Sequence, residues 1–498
     1  MGACYLALDY GTTALKAVLY DEGLKTLGIA SREWTYIYPE AGWIEHPAQL
    51  YWEKTLSAIN ELFDICGGRD SLEAVSVTGQ AETLVCIGHD GKELGNAIVW
   101  LDTRPKEEFE RFSSEIPAGD FYRITGEPGF DPIMPVLKIS WMKKCQPERY
   151  ANTAKFLHIK EYIIYCLTGK FAGENSALSC SGYFDITKNA YDPGLLAFAG
   201  IDADKLPEPM DSQYIVGRVS SDVQHATGMN ANVQVVNGML DQCASSIGAG
   251  AVDSSRITET TGTVLAISAA MEKFDGSTDG LLVLRHGLKD RFLALPNCST
   301  AGVLLKWFRD QFLPEGTAYD QINRAIMERG RRESGLILLP HFAGYLSPVS
   351  NPLACGCIYG LSMDTTKWDV AHAIMEGVGF LLRENLELLE KHGIRAEEII
   401  SLGGGAKSPL WLGVKANICN KEMCILDEDE STALGCAMNA ALSLGRIQEK
   451  DIPGFVNIRK RYAAEADGAA IYQKKYENYL ALNARLGFNP PSSVTPVL

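Results

Sequence analysis

A short glycine turn near the start of the chain contains residue types that could bind phosphate. Asp9 ends an apolar run, Gly11 follows it, and Thr12 and Thr13 lead into a second apolar run. Glycine permits a tight bend, while backbone amides and threonine hydroxyls can donate hydrogen bonds to phosphate oxygens. Asp9 could orient a hydrated Mg²⁺, and Lys16 could add positive charge. The pattern fits a phosphate-binding hairpin or an ordinary β-hairpin.

Two later segments have a similar chemical character. Thr261-Gly262-Thr263 lies between two strand-like runs and echoes the first turn half a chain later. Gly403-Gly404-Gly405-Ala406-Lys407-Ser408 joins a predicted strand to a predicted helix. Its glycines leave room for a ligand against the backbone, the helix N-terminus offers free amides, and Ser408 could cap the helix. A tight strand-to-helix turn without a ligand is the alternative for this segment.

The elements that must position these residues are those of an α/β protein. The 498 residues are 46% hydrophobic and 22% charged, which is enough for sizeable cores in two or more domains. Short β-type runs alternate with helical patterns throughout, which predicts α/β architecture. The small-residue stretch 248–255 is the predicted hinge. It divides the chain into an N-terminal domain, 1–247, and a C-terminal domain, 248–498.

Charge, cysteine use and hydropathy indicate a cytoplasmic protein that binds small molecules. The formal charge of −16 argues against a nucleic-acid or anionic-membrane surface. Thirteen cysteines are scattered without a Cys-x-x-Cys pair, and the chain runs into a strand without a signal-peptide pattern. Its apolar stretches are too short or too interrupted for a membrane-spanning helix, which needs ~20 residues. The final helix, with Tyr472, Tyr476 and Tyr479 at helical spacing, is expected to pack on the body or to serve a homodimer.

Five motifs together resemble the FGGY carbohydrate kinases. The resemblance covers nearly the whole chain and implies two actin-like, ribonuclease-H-like α/β domains that close around ATP and a sugar in an interdomain cleft. The motifs that carry it, in the order and approximate spacing of the family, are Asp9-Tyr10-Gly11-Thr12-Thr13, Gly238-Met239-Leu240-Asp241-Gln242, Thr261-Gly262-Thr263, Gly403-Gly404-Gly405-Ala406-Lys407-Ser408 and Glu430-Ser431-Thr432-Ala433-Leu434-Gly435.

The resemblance also implies a role for each matching residue. Asp241 matches the catalytic base, which orients a sugar hydroxyl and accepts its proton as the oxygen attacks the γ-phosphorus in line. From the residues alone, a helix N-cap is the alternative for Asp241. Asp9 is expected to hold Mg²⁺ through water. The expected ATP-binding residues are Asp9, Gly11, Thr12, Thr13, Lys16, Thr261, Gly262, Thr263, Gly302, Gly404, Gly405, Ala406 and Ser408.

The loop expected to contact the sugar combines features of two family members. Gly79-Gln80-Ala81-Glu82-Thr83 shares Gly-Gln with xylulose kinases and Glu-Thr with glycerol kinases. Glu82 could accept hydrogen bonds from two neighbouring hydroxyls or be a solvated loop charge. Trp100 offers a sugar wall or core packing, and Asp102 and Arg104 offer sugar contacts or a local ion pair. The expected substrate-binding residues are Gln80, Glu82, Trp100, Asp102, Arg104 and Gln242.

The predicted activity is phosphorylation of a terminal hydroxyl of a small sugar, with Mg-ATP as donor and a ketopentose such as xylulose as the first candidate. Glycerol, another polyol or gluconate is the enzymatic alternative. A non-catalytic nucleotide or sugar sensor on the same fold is the alternative from another class. The presence of both Asp9 and Asp241 speaks against the sensor, because a kinase that no longer turns over would have no need of both carboxylates.

Overall fold

The computed structural model describes residues 2–277, 280–330 and 333–489, and residues 490–498 of the predicted second domain lie outside this description. The strands are β1 (Cys4–Tyr10), β2 (Ala14–Tyr20), β3 (Thr26–Glu33), β4 (Glu45–His46), β5 (Leu72–Gly79), β6 (Leu84–Gly88), β7 (Ala97–Ile98), β8 (Thr153–His158), β9 (Gly173–Glu174), β10 (Phe184–Asp185), β11 (Ala190–Tyr191), β12 (Pro209–Met210), β13 (Ile215–Arg218), β14 (Gln234–Leu240), β15 (Arg256–Thr261), β16 (Leu265–Met271), β17 (Val283–Arg285), β18 (Phe292–Ala294), β19 (Asn297–Cys298), β20 (Ile337–Leu339), β21 (Cys357–Tyr359), β22 (Glu398–Leu402), β23 (Glu422–Leu426) and β24 (Ile458–Tyr462).

The α-helices cover these sheets and connect their parallel strands. They are α1 (Ala48–Cys66), α2 (Lys106–Glu115), α3 (Ala118–Thr125), α4 (Pro135–Cys145), α5 (Pro147–Asn152), α6 (Ile159–Thr168), α7 (Asn175–Leu178), α8 (Pro193–Ala199), α9 (Ser221–Thr227), α10 (Asp241–Gly248), α11 (Gly302–Phe312), α12 (Tyr319–Glu328), α13 (Lys367–Lys391), α14 (Pro409–Cys419), α15 (Ser431–Ser443) and α16 (Ala466–Arg485).

A six-stranded sheet with the strand order β13-β14-β5-β1-β2-β3 forms the centre of the first half. β1, β2 and β3 make an antiparallel meander, whereas β5 runs parallel to β1 and β14 runs parallel to β5. β1 and β5 are buried along almost their whole length because the sheet is covered on both faces. The carboxyl ends of β1, β5 and β14 therefore meet at one edge.

The second half repeats this arrangement. β15 and β16 form an antiparallel hairpin, β22 runs parallel to β15, and β23 runs parallel to β22. The hairpin β15–β16 occupies the place that β1–β2 has in the first sheet, which agrees with the predicted echo between the two halves. The glycine turns of both halves are thus at corresponding positions.

Two helices cross closely where the halves meet. α10 follows β14 of the first sheet, and α15 of the second half packs on β1, β5 and α10. A Cβ atom at Gly248 would lie 1.8 Å from the Ser431 carbonyl oxygen, and one at Gly435 would lie 1.9 Å from that of Ala244. Only glycine permits this crossing. The predicted boundary at 247/248 falls at the end of α10, and the division into two domains there stays a prediction.

The C-terminal helix α16 packs on the body of the protein. Its three tyrosines are buried against α13, where their hydroxyls donate to carboxylates at 2.9–3.0 Å. This confirms the packing interpretation of the aromatic stripe, and a homodimer stays a prediction. Within residues 2–277, 280–330 and 333–489, no helix combines the length and the apolar character needed to cross a membrane.

Candidate active site

The candidate active site lies at the edge of the first sheet where three neighbouring parallel strands end. Asp9 lies near the end of β1, Gln80 directly follows β5, and Asp241 directly follows β14. The register places Thr78 of β5 beside Asp9 and the end of β14 beside the end of β5. Ligands of α/β proteins bind beyond the carboxyl ends of such strands. The fold thus gathers residues that are far apart in the sequence.

The two aspartates at this edge interact electrostatically. Burial, and next the charge of Asp241, raises the pKa of Asp9 to about 7. Burial raises the pKa of Asp241 to about 6, although the Gln242 amide, which donates to Asp241 Oδ1 at 2.7 Å, has a lowering effect. The N-cap interpretation of Asp241 is wrong, because Asp241 is the first residue of α10 and Leu240 is the N-cap. Carboxylates with shifted pKa values are typical of functional sites.

The first glycine turn is held by aromatic residues that follow β3. Trp34 Nε1 donates to the Thr12 carbonyl oxygen at 2.9 Å, and the Tyr36 hydroxyl donates to the same oxygen. The Trp34 amide donates to the Thr13 carbonyl oxygen at 3.0 Å. Thr12 is partly exposed and Thr13 is exposed. The turn can therefore present hydroxyl donors to a phosphate from a fixed backbone.

Lys16, predicted to add charge at the phosphate, forms an ion pair between the two halves. Its Nζ lies 2.6 Å from Glu430 Oε2 and 2.8 Å from Glu430 Oε1. Lys16 also pairs with Asp9 in the β1–β2 register, so the ion pair is beside the candidate site. A phosphate that contacts Lys16 would therefore share its charge with Glu430.

The predicted sugar loop is tied to the first turn. Gln80 Nε2 donates to the Gly11 carbonyl oxygen at 3.3 Å, and Thr83 Oγ1 donates to Gln80 Oε1 at 2.8 Å. The same Thr83 hydroxyl accepts from the Trp100 amide at 3.0 Å. Both ends of the Gln80 amide are thus bound to protein, and its predicted contact with the sugar stays a prediction. Glu82 is only partly exposed, and burial raises its pKa to about 7.

Asp102 and Arg104 form the local ion pair that was the alternative to sugar contact. Arg104 Nη2 lies 2.7 Å from Asp102 Oδ2 and 2.9 Å from Glu45 Oε1, and its guanidinium lies 4.0 Å from the ring centre of Trp43. The side chains of Asp102 and Arg104 are fully buried. Arg104 Nη1 is buried without a hydrogen-bond partner in the described part of the chain, and Trp100 is partly exposed. The predicted sugar contacts of Asp102 and Arg104 stay predictions. The buried ion pair therefore stabilises the loop that carries Trp100.

Thr261 of the second glycine turn belongs to a buried charged cluster. Lys415 Nζ lies 2.7 Å from Glu259 Oε1 and donates to Thr261 Oγ1 at 2.6 Å, while Thr261 Oγ1 donates to Glu259 Oε2 at 2.7 Å. Sequence reasoning missed Glu259 and Lys415. The one local signal for this buried cluster is the position of a glutamate, Glu259, in the middle of strand β15. The Thr261 hydroxyl is committed to this cluster. The backbone of the turn and the exposed Thr263 hydroxyl remain for a phosphate.

Three predicted ATP-binding glycines differ in their surroundings. A Cβ atom at Gly302 would lie 2.5 Å from the Gly262 carbonyl oxygen, and one at Gly405 would lie 2.6 Å from Thr261 Cβ. At Gly404 the nearest atom would be the Thr261 carbonyl oxygen at 3.9 Å. The packing of the protein itself therefore requires glycine at 302 and 405. Gly404 instead borders open space that a nucleotide could fill.

The third glycine segment leads into α14. Gly404, Gly405 and Ala406 lie in a 3₁₀ turn, Gly404–Lys407, that follows β22. Ser408 Oγ accepts from the Trp411 amide at 3.2 Å and contacts Asn323 Oδ1 at 3.1 Å. The predicted helix cap at Ser408 is confirmed, and its hydroxyl is already engaged within the protein.

Alanine at Gly404 and at Gly405 should have different effects. Gly404→Ala adds a methyl group in open space, so the melting temperature should be unchanged while KM for ATP rises several-fold. Gly405→Ala overpacks the contact with Thr261 and should lower the free energy of unfolding by about 1–3 kcal/mol. Thermal unfolding and the KM for ATP measure the two effects. Equal melting temperatures for the two variants would contradict the conclusion that position 404 has room for a methyl group and position 405 does not.

Comparisons with known proteins extend over nearly the whole chain. Residues 4–248 match the FGGY family of carbohydrate kinases, N-terminal domain, and residues 259–444 match the C-terminal domain of that family. The xylulose kinase of Bacillus subtilis is 27% identical over 478 residues, which are 95% of this chain and 95% of that protein.

Two solved structures are similar over almost their full length. The ligand-bound xylulose kinase from Lactobacillus acidophilus has a TM-score of 0.90 at 26% identity, covering 97% of this chain and 98% of that one. The gluconate kinase from the same organism has a TM-score of 0.90 at 27% identity, with the same two coverages. These matches confirm the predicted family resemblance and the two-domain α/β fold.

Proposed function

Because this chain belongs to the FGGY family of carbohydrate kinases, we propose that it transfers the γ-phosphoryl group of ATP to a terminal hydroxyl of a small sugar, with a ketopentose such as xylulose as the first candidate. The observation that carries the proposal is the position of Asp241 at the end of β14, next to the strand that leads into the sugar loop and close enough to Asp9 of β1 to raise its pKa. The similarity to xylulose kinases supports the choice of sugar. The proposed enzyme works in the cytoplasm, where ATP is supplied.

Asp241 is proposed as the general base. Its carboxylate would accept the proton of the sugar hydroxyl as the hydroxyl oxygen attacks the γ-phosphorus, and ADP would leave in line. A pKa of about 6 keeps this carboxylate mostly ionised at neutral pH, where a base must be unprotonated. The donors of the turn at Gly11, Thr12 and Thr13 would hold phosphoryl oxygens. Positioning and electrostatic stabilisation supply most of the catalysis in phosphoryl transfer.

The oxygen donors of Asp9 and Asp241 fit a Mg²⁺ ion. Mg²⁺ prefers oxygen ligands and usually keeps several waters, which suits the proposed binding to Asp9 through water. The charge of Asp241 is one cause of the raised pKa of Asp9, and a cation near both would relieve that repulsion. When bound, the ion supplies positive charge that neutralises the phosphoryl oxygens.

The proposal includes closure of two domains, 1–247 and 248–498, around ATP and sugar. The sugar loop and Asp241 belong to the first, and the turn at Thr261 and the segment at Gly404 belong to the second. The close crossing of α10 and α15 at Gly248 and Gly435 would form the pivot. Closure of this kind excludes water and completes a catalytic site.

Glycerol is the second candidate substrate. Glu82 and Thr83 of the sugar loop are the residues that glycerol kinases carry there, and the partly buried Glu82 carboxylate could accept from two neighbouring hydroxyls. The sensor alternative requires binding without turnover, and the retained pair of Asp9 and Asp241 supports the enzyme instead.

Release of ADP from Mg-ATP tests the proposal. Purified protein is assayed with ketopentoses, aldoses, polyols and sugar acids, and a reaction without sugar measures background hydrolysis. We expect strong turnover with one neutral compound or a few close analogues. Binding of ATP and sugar in a thermal-shift assay without ADP release would support the sensor and contradict the kinase.

A further inference from the structure

We propose that Lys138 of α4 is a positioning residue of the sugar site: its ammonium holds the loops that carry Glu82 and Trp100 by their backbone carbonyl oxygens and does not itself contact the sugar. This inference rests on the proposed phosphoryl transfer and on the predicted sugar contacts of Glu82 and Trp100. It adds a residue to that proposal.

The two loops that carry these predicted sugar contacts adjoin one small sheet side by side. β6 begins at Leu84 and β7 ends at Ile98, and these two residues are paired in the antiparallel ladder. The loop of Glu82 therefore enters the sheet beside the point where the loop of Trp100 leaves it. The Trp100 amide donates to Thr83 Oγ1 at 3.0 Å, which joins the two loops directly. The sugar contacts thus depend on how this pair of loops is held against the rest of the first half.

Lys138 holds both loops from a buried helix. It belongs to α4, in which every residue from Pro135 to Met142 is buried, and its own exposure is 0%. Its Nζ donates to the backbone carbonyl oxygens of Glu82 at 3.1 Å, of Val99 at 3.0 Å and of Trp100 at 3.2 Å. An ammonium has three N–H donors, so these carbonyl oxygens use all of them and none is left for a substrate.

Carboxylates on the same two loops favour the charged form of Lys138. Burial lowers the pKa of Lys138 to about 7, whereas the charges of Glu82 and Asp102 counteract this effect. An opposite charge nearby favours the charged form of a group. The two loops therefore stabilise the ammonium that donates to them, and the ammonium in turn fixes their backbone.

α4 contacts the loop of Trp100 at a further point. Trp141 lies three residues after Lys138, and the Arg104 guanidinium lies 5.1 Å from the ring centre of Trp141. Arg104 is held in the buried ion pair with Asp102. The loop of Trp100 is thus packed on α4 at two points, and Lys138 reaches the loop of Glu82 as well.

Loss of the ammonium should displace the loops without removing any of the predicted sugar-binding side chains. A carbonyl oxygen that loses its donor inside the protein is unfavourable, so the backbone at Glu82 and at Trp100 should turn to reach water. A displacement of about 1 Å from the productive geometry can cost about 100-fold in rate. The three bonds of Lys138 go to none of the predicted ATP-binding residues, so the affinity for ATP should persist.

Lys138→Met tests the assignment, because methionine has a similar length and no N–H donor. We expect kcat/KM for the best sugar to fall about tenfold to 100-fold, while KM for ATP stays within about twofold of the wild-type value. Lys138→Gln restores two N–H donors on a shorter side chain and should recover part of the loss. Lys144→Met, at an exposed lysine of the same helix whose Nζ contacts Glu107 Oε2 at 2.6 Å, is the matched control and should change neither constant.

A second buried lysine separates positioning of the sugar from loss of stability. Lys415→Met should also destabilise the protein, but it acts through the turn at Thr261, so it should raise KM for ATP and leave KM for the sugar unchanged. Equal changes of both KM values in Lys138→Met would show a general structural role and would overturn the positioning assignment. An unchanged kcat/KM for the sugar in a folded Lys138→Met protein would overturn it too.

A crystal structure of the wild type with the best sugar decides the question if neither Lys138 variant folds. We expect Glu82 or Trp100 to contact the sugar while Lys138 Nζ keeps its three carbonyl partners. A sugar that contacts Lys138 Nζ, or that lies away from both loops, would overturn the inference. Turnover with any sugar supports the proposed kinase whichever way the Lys138 variants behave, whereas no turnover with any compound would overturn the proposed function and this inference with it.

Discussion

Asp241→Asn should lower kcat for the preferred sugar by about 10²–10⁴-fold, the usual contribution of a general base. Asparagine has nearly the same size and can still accept from the Gln242 amide, but it cannot take a proton from the sugar hydroxyl. Because the change is confined to the base, ATP should still bind. Steady-state ADP release and calorimetric titration with ATP measure the two properties.

The pH dependence gives an independent check on the same group. In the wild type, kcat/KM for the sugar should fall as the pH falls through about 6, because protonated Asp241 cannot act as a base and burial raises its pKa to about that value. Asp222→Asn, an exposed aspartate of α9, is the matched control and should leave turnover unchanged. Turnover of Asp241→Asn close to that of the wild type would contradict the base assignment.

Lys415→Met should destabilise the protein by about 3–5 kcal/mol, since it leaves a buried carboxylate without its cation. The side chains of Lys415 and Glu259 are both 0% exposed, with Nζ and Oε1 2.7 Å apart. Lys415 also donates to the Thr261 hydroxyl, so the second glycine turn should lose order and KM for ATP should rise. Urea unfolding followed by tryptophan fluorescence measures the stability.

An exposed ion pair is the control for this prediction. Lys306→Met removes one of the cations that pair with Asp310 on the surface of α11, where such a pair contributes about 0–1 kcal/mol. The double variant Glu259→Leu/Lys415→Met should recover part of the lost stability, because no unpaired charge stays buried. A single Lys415→Met variant as stable as Lys306→Met would show that the buried pair does not hold the turn.

The parts of the fold that the sequence predicted are those with local signals. The glycine turns at Gly11 and Gly262 are flanked by apolar runs, and both became hairpins of the same topology. The Ser408 cap was also readable, since its hydroxyl bonds the Trp411 amide three residues later. Short-range chemistry of this kind is visible in the chain without knowledge of the tertiary structure.

The contacts that sequence reasoning missed join distant residues. Lys16 and Glu430 are 414 positions apart, and Glu259 and Lys415 are 156 apart. No periodicity links such pairs, because the fold alone decides which charges meet. Roles for the candidate site residues, Asp241 included, stay proposals.

The central claim is that this chain makes a sugar phosphate at the edge where β1, β5 and β14 end. Phosphorus NMR of the products from Mg-ATP and the best neutral sugar, for the wild type and Asp241→Asn in parallel, tests it most directly. We predict a phosphomonoester on a terminal hydroxyl, formed in equal amount with ADP by the wild type and almost absent with the variant. Binding of both ligands by the wild type with no new ester, or equal ester from the variant, would contradict the account.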